Sequence, residues 1–222
     1  MSKHLLIVGA SRGLGAEACA YFRDRYEVST LKFDYLKPGT LDGQLLGEYD
    51  AVLHCQGGGM GMRGPLIPAQ SMLELFNLNL GAALEVNRYV LPYMMAKREG
   101  AICHVCSIAS FEAIGSVGYN TVKAALAAYV RSLGRELARF GVVVTGIAPG
   151  GFMAPGGAME RLLENHPAAY REFVEERLPR RKMGEACEIL PLVEFLLSPA
   201  AAMMGGSVVP IDAGEGRAYG VV

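Results

Sequence analysis

Six short apolar runs recur along the chain, and most are followed by a segment of helical periodicity; this alternation constrains the fold more than any other feature. The runs are Leu5–Val8, Glu27–Leu31, Ala51–Cys55, Ala101–Val105, Val142–Ile147 and Ser207–Ile211. They are nearly continuous in apolar residues, as strands covered on both faces must be. Helical patterns cover Ala16–Arg25, Ser71–Lys97, Tyr119–Phe140 and Glu185–Leu197, and Ser71 with Glu74 has the spacing of a capping box. Strand and helix in alternation predict an α/β, Rossmann-type three-layer fold, with a central parallel sheet flanked by helices.

Two intervals break the rhythm. Residues 32–50 are too few for a complete α-β-α crossover, so the fold is expected to be abbreviated between the second strand and residue 51. The interval Gly150–Pro179 is long, glycine-rich at its start and helical in its middle, and such segments often cover a site. We therefore expect one dinucleotide-binding domain over 1–222, with a substrate lid at 151–182.

Composition excludes several classes. A formal net charge of -1 gives no footprint for nucleic acid or an anionic membrane, and the run Arg180-Arg181-Lys182 stands beside Glu175, Glu176 and Glu185 as a solvated face. The apolar run after Met1-Ser2-Lys3-His4 is shorter than a signal-peptide core, and no run approaches the ~20 residues of a membrane helix. Cys19, Cys55, Cys103, Cys106 and Cys187 are odd in number and lie in apolar segments, which reads as buried reduced thiols in a cytoplasmic protein. The four histidines show no metal-ligand spacing, so no metal is expected.

Directly after the first run comes Gly9-Ala10-Ser11-Arg12-Gly13-Leu14-Gly15, opening a helix. Gly9 permits a tight turn, Gly13 lets a pyrophosphate approach the backbone, and Gly15 lets helix and strand pack closely. Ser11, Arg12 and Leu14 complete the cradle, and the helix N-terminus offers unpaired N–H groups to phosphate. From this loop onward the chain resembles the short-chain dehydrogenase/reductase family, whose nucleotide loop is T/V-G-x-x-x-G-x-G. The resemblance covers roughly residues 5–214.

Tyr119 and Lys123 are spaced i, i+4 and share one face of a helix. An ammonium one turn from a phenol stabilises its phenolate, and such a pair can hand a proton to a carbonyl oxygen or take one from an alcohol. The spacing alone is weak; its context is not. Ser107 ends the fourth run, twelve residues before Tyr119, at the carboxyl end of a parallel strand. By resemblance, Ser107 polarises the substrate oxygen, Asn79 supports a proton relay through water to the lysine, and Lys123 also bonds the nicotinamide ribose. Asn77 is the rival to Asn79. Pro149-Gly150 matches the family's turn against the nicotinamide, and Ile211-Asp212-Ala213-Gly214 matches its closing strand.

The family's Asn-Asn-Ala-Gly is replaced by His54-Cys55-Gln56-Gly57. Gly57 keeps the close approach to the cofactor, and His54 or Gln56 replaces the lost polar tie; His54 is read as structural or cofactor-facing rather than catalytic. The run Gly57–Gly64 shapes the substrate mouth or forms a loose loop. Cofactor choice rests on few side chains. Lys32 near the end of the second run and Arg12 favour a 2′-phosphate, hence NADP(H). Asp34 would favour NAD(H) if it met the ribose instead.

The expectation is an NADP(H)-dependent oxidoreductase interconverting a carbonyl and an alcohol through Ser107, Tyr119, Lys123 and Asn79. The partner is a small carbonyl or alcohol, with no nucleic acid and no membrane, and the resemblance implies a homodimer or homotetramer. The alternatives are an NAD-dependent alcohol dehydrogenase using the same residues and a non-catalytic nucleotide-sensing protein on the same fold. Phe111, Ile114, Phe152, Met153 and Met159 are candidates for an apolar pocket.

Overall fold

A computed structural model describes residues 3–41 and 48–218. Its centre is a six-stranded parallel sheet in the order β2-β1-β3-β4-β5-β8, formed by β1 (His4–Val8), β2 (Glu27–Leu31), β3 (Ala51–His54), β4 (Gly100–Val105), β5 (Val142–Pro149) and β8 (Val208–Ile211). Two short strands, β6 (Phe152–Met153) and β7 (Gly184–Glu185), pair parallel to each other outside it.

Alternation along the strands divides the core. Leu6, Val8, Val52, Ile102 and Val144 face one side, against α3 (Ala82–Lys97) and α4 (Val117–Leu137). Leu5, Ile7, Leu53, Cys103 and Ile147 face the other, against α1 (Gly13–Phe22) and α7 (Ala186–Leu196). A strand sends successive side chains to opposite faces, so near-continuous apolar runs fill both layers at once. Burying each such side chain contributes about 1.5–3 kcal/mol.

The chain runs from β1 outward to β2, then returns to place β3 on the other side of β1. That reversal opens a crevice at the carboxyl ends of β1 and β3, where open α/β sheets bind ligands. The two loops touch there: a Cβ on Gly9, whose φ is +84°, would meet Gln56 N at 2.5 Å.

Some boundaries move. The first helix starts at Gly13, three residues before the expected start, because the glycine loop closes directly into its first turn. The expected helix over 71–97 is three contiguous pieces: α2 (Ala69–Phe76), a π-helical turn Asn77–Gly81, and α3. Ser71 is not its N-cap. Pro68 occupies that position with extended backbone, and Glu74 accepts a hydrogen bond from Gln70 instead. The helix α4 begins two residues before Tyr119, capped by Ser116, and its last expected turn, Ala138–Phe140, is 3-10.

Between β2 and β3 the described residues hold only a 3-10 turn, Pro38–Leu41, and β2 forms the sheet edge. The interval after β5 holds β6 and two short helices, α5 (Ala158–Asn165) and α6 (Pro167–Arg177). Among the described residues no helix is long and apolar enough to cross a membrane. The thiols depart from the expectation of burial: Cys103 and Cys106 are buried, Cys19 and Cys55 are half-buried, and Cys187, in the first turn of α7, is exposed. Burial pushes the thiols of Cys103 and Cys106 up to about 12.

Candidate functional site

The carboxyl ends of β1, β3, β4 and β5 surround two adjoining spaces. One is a groove of about 1120 Å³ lined by Gly9, Ser11, Arg12, Gly13 and Leu14 on one wall and by Gln56 to Gly61 on another. The other is a cavity of about 340 Å³ lined by Ser107, Tyr119, Lys123, Pro149 and Gly150. Gly13, Gln56 and Gly57 border both.

Lys123 is 3% exposed and donates from Nζ to the Val105 carbonyl oxygen at 2.9 Å. Its Nζ lies 5.7 Å from the centre of the Tyr119 ring. Ser107, at the turn out of β4, accepts the Ala109 N–H on its Oγ at 3.1 Å. Asn79 is fully buried in the π-helical turn, a distortion that recurs at functional sites. Its amide grips Gly58 in both directions, accepting that residue's N–H and donating to its carbonyl oxygen, each at 3.0 Å. It also donates to the Leu75 carbonyl oxygen at 2.9 Å. Asn77 turns away and donates to Leu36 O.

Gly57 explains why these groups can meet. Its φ is +146°, and a Cβ there would lie 2.7 Å from Asn79 Oδ1 and 3.1 Å from Lys123 Nζ. Any side chain would displace both. Gly15 is similarly enclosed, since its Cβ would overlap the Gly9 carbonyl oxygen. A dinucleotide therefore fits this donor set: a groove walled by backbone, opening at a helix N-terminus, with three arginines (Arg12, Arg63, Arg161) and no carboxylate among its described lining residues.

Lys32 and Asp34 are not brought there. Both are exposed and absent from the groove lining, and Asp34 instead accepts the Leu36 N–H. Tyr35 lines the groove in their place: its Oη accepts the Gly9 N–H at 3.0 Å and donates to Leu31 O at 3.2 Å. Of the apolar candidates, Ile114, Phe152 and Met159 line the cavity, whereas Phe111 packs against the core and Met153 lines neither space.

His54 is 2% exposed and faces the core. Its Nε2 bonds Asn87 Oδ1 at 2.9 Å, its Nδ1 bonds Gln56 Nε2 at 3.3 Å, and its ring stacks on His104 with centres 4.4 Å apart. Asn87 in turn donates to Tyr129 Oη at 2.9 Å, so the sheet is tied to α3 and α4. These partners suit a neutral ring that donates from Nε2 and accepts at Nδ1. Burial lowers the His54 pKa to about 4, and burial first, then His54 and Lys123, push His104 down as well.

Several groups in or against the site had no signal in the spacing of motifs. The Gly13 N–H donates to Pro155 O at 2.6 Å, so the segment after β6 lies directly on the glycine loop. Asn120, between Tyr119 and Lys123, accepts the Gly115 N–H at 2.8 Å and donates to Glu112 O, bracing the turn that precedes Tyr119. Glu215, just past the Asp212–Gly214 match, reaches back into the cavity. An acidic residue continuing that motif was the one available clue to it.

Known proteins share this architecture. The family model described as enoyl-(acyl carrier protein) reductase matches residues 42–215. MabA of Mycobacterium avium, a 3-oxoacyl-[acyl-carrier-protein] reductase, is 33% identical over 148 residues, covering 66% of this chain and 55% of that protein. Levodione reductase of Leifsonia aquatica is 31% identical over 168 residues, covering 72% of this chain and 62% of that protein. The aligned stretches thus span little more than half the length of these curated relatives. A crystal structure of levodione reductase superposes with a TM-score of 0.82 at 25% identity, covering 99% of both chains. The NADP-bound structure of ElxO has a TM-score of 0.85 at 18% identity, covering 97% of this chain and 99% of that one, and speaks to the fold alone. With the family model matched over most of its length and these relatives beside it, the chain belongs to the short-chain dehydrogenase/reductase family.

Proposed function

We propose that the chain is an NADP(H)-dependent oxidoreductase that interconverts a small carbonyl compound and its alcohol. The observation that carries this reading is the convergence of Ser107, Tyr119 and Lys123 on one cavity that shares its border with the glycine groove. Bound in that groove, a nicotinamide would supply or accept hydride. The protein's own groups handle the oxygen and the proton. Ser107 Oγ already accepts the Ala109 N–H, which leaves its hydroxyl proton for the substrate oxygen. Tyr119 gives that oxygen a proton in reduction and takes one in oxidation. Lys123, anchored on Val105 O, keeps a positive charge near the Tyr119 ring. Asn79 holds the Gly57–Gly58 backbone beside that ammonium and supports its exchange of protons with solvent.

The preference for NADP(H) rests on Arg12, Arg63 and Arg161 and on the lack of a carboxylate in the described groove lining. Structures of the same fold have been solved with NADP, NADPH or NADH bound, which supports a nicotinamide cofactor in this groove without choosing between NADP(H) and NAD(H). We assign residues 151–182 as a lid. Pro155 O takes the Gly13 N–H that a phosphate would want, so the lid lifts to admit the cofactor and reseats beside it.

The test is Tyr119→Phe, with turnover and NADPH affinity measured together. NADPH binding is expected to stay within about twofold while kcat falls about 10²- to 10⁴-fold. Retained turnover overturns the assignment. Arg12→Ala is expected to cut the kcat/KM ratio of NADPH to NADH by about tenfold or more, the scale of one charge-assisted phosphate contact. A wild-type preference for NADH would sink the cofactor choice.

A further inference from the structure

The cavity beside Ser107 and Tyr119 is lined by three charged side chains, Lys123, Arg177 and Glu215. Lys123 is buried and anchored on Val105 O. The other two form a separate device. The Glu215 side chain is 3% exposed; its Oε2 accepts the Gly151 N–H at 2.6 Å, and its Oε1 accepts from Arg177 Nη2 at 2.8 Å. The Arg177 guanidinium also lies over the Phe173 ring, 4.8 Å from its centre, one turn earlier on α6. Held from below by a carboxylate and stacked on an aromatic face, this guanidinium has little rotamer freedom left to lose. Its side chain is still 36% exposed. Five N–H donors fan out from a guanidinium, and Glu215 engages one of them.

We propose that Arg177 anchors a carboxylate on the substrate, so that the site takes short oxo acids and the matching hydroxy acids. The inference rests on the carbonyl–alcohol reading above and specifies its substrate class. Apart from Gln56, Ser107 and Tyr119, the rest of the wall is apolar or backbone, with Ile114, Phe152 and Met159 in it. A charged group on the substrate therefore has one place to go, and its binding there fixes which carbonyl faces Tyr119. Other carboxylates lie nearby, and they do not reverse the sign. Glu112 accepts the N–H groups of Arg217 and Ala218, and Asp212 those of Gly214 and Gly216. Glu215 spends Oε2 on the Gly151 N–H and Oε1 on Arg177, which leaves the other guanidinium donors for an incoming anion. The cavity volume of about 340 Å³ is at the small end for ligand sites, which limits the substrate to a short chain.

The experiment pairs short-chain oxo acids with their methyl esters. Turnover is followed with NADPH, and equilibrium binding is measured by calorimetry in the presence of NADP⁺. Wild type is expected to favour the acid over its ester by about 10- to 100-fold in both kcat/KM and Kd. In Arg177→Ala that ratio falls to near one, through KM rather than kcat, and Arg177→Lys regains part of it. Because Arg177→Ala strands a buried carboxylate, Arg177→Ala combined with Glu215→Gln provides a second variant with the same expected ratio. Equal affinity for acid and ester in wild type, or a ratio that neither alanine variant moves, overturns the proposal. If no acid or ester is turned over while wild type still binds acids selectively through Arg177, the anchor stands and the oxidoreductase reading falls.

Discussion

Two polar clusters flank the carboxyl ends of β3 and β4, and both draw a tyrosine from α4. In one, Tyr129 closes a chain of buried groups through Asn87 to His54, sealed among the sheet, α3 and α4. In the other, Tyr119 stands ten residues earlier on the helix and opens into a cavity beside Ser107 and Lys123. Side-chain type alone would rank the first cluster higher, since histidine is the commonest acid–base group. Burial reverses that ranking. A histidine at pKa about 4, with both nitrogens committed to amide partners, has no proton to trade near neutrality and no path to a substrate. What the difference teaches is that access to a cavity separates a polar group available for chemistry from a structural one.

Exchanging the two tyrosines breaks this contrast most sharply. Tyr119→Phe is expected to remove about 3–5 kcal/mol of transition-state stabilisation with little change in melting temperature. An equal loss of stability would mean that the two clusters do the same job.

The next largest effect is a pH dependence. Folded His54 titrates near 4 against 6.5 when free, so between those values the unfolded chain binds the extra proton. The stability contributed by burying a neutral imidazole is complete above pH 6.5 and is lost as pH falls towards 4, by roughly 3 kcal/mol over the interval. His104 adds to the loss in the same direction. Denaturant midpoints at pH 7 and pH 4.5 should fall less steeply for His54→Asn than for wild type. An unchanged slope would remove His54 as its source.

The smallest expected effect is Tyr129→Phe, which strips Asn87 of one acceptor and should cost about 1–2 kcal/mol of stability while kcat stays within about twofold. A collapse in turnover here would join the clusters that the geometry separates.

Much of the scaffold was legible because it depends on local pattern. Short apolar runs in alternation with helical segments read as strands covered on both sides, and five of the six expected runs match the observed strands to within a residue, although Glu27–Leu31 is the half-exposed edge strand. Val142–Ile147 lies wholly inside β5, which continues to Pro149. The glycine loop was legible for the same reason, since a strand, glycines and a helix N-terminus lie within one short stretch. The π-helical turn was not, because it follows from packing Asn79 onto the Gly58 backbone, a contact across 21 positions of the chain. Likewise, Lys32 and Asp34 have the sequence position of cofactor-reading groups, yet the turn after β2 leaves them exposed and inserts Tyr35.

By itself, then, the sequence determined the layered parallel fold, the phosphate-type loop and the helical pairing of Tyr119 with Lys123, because each depends on residues within one or two turns of one another. Only the tertiary structure decided that His54 is sealed while Tyr119 is open, that Pro155 covers Gly13, and that Glu215 meets Arg177 across 38 positions of sequence. Those outcomes follow from which strands are neighbours and how far each loop reaches over the sheet edge, and long-range packing settles both.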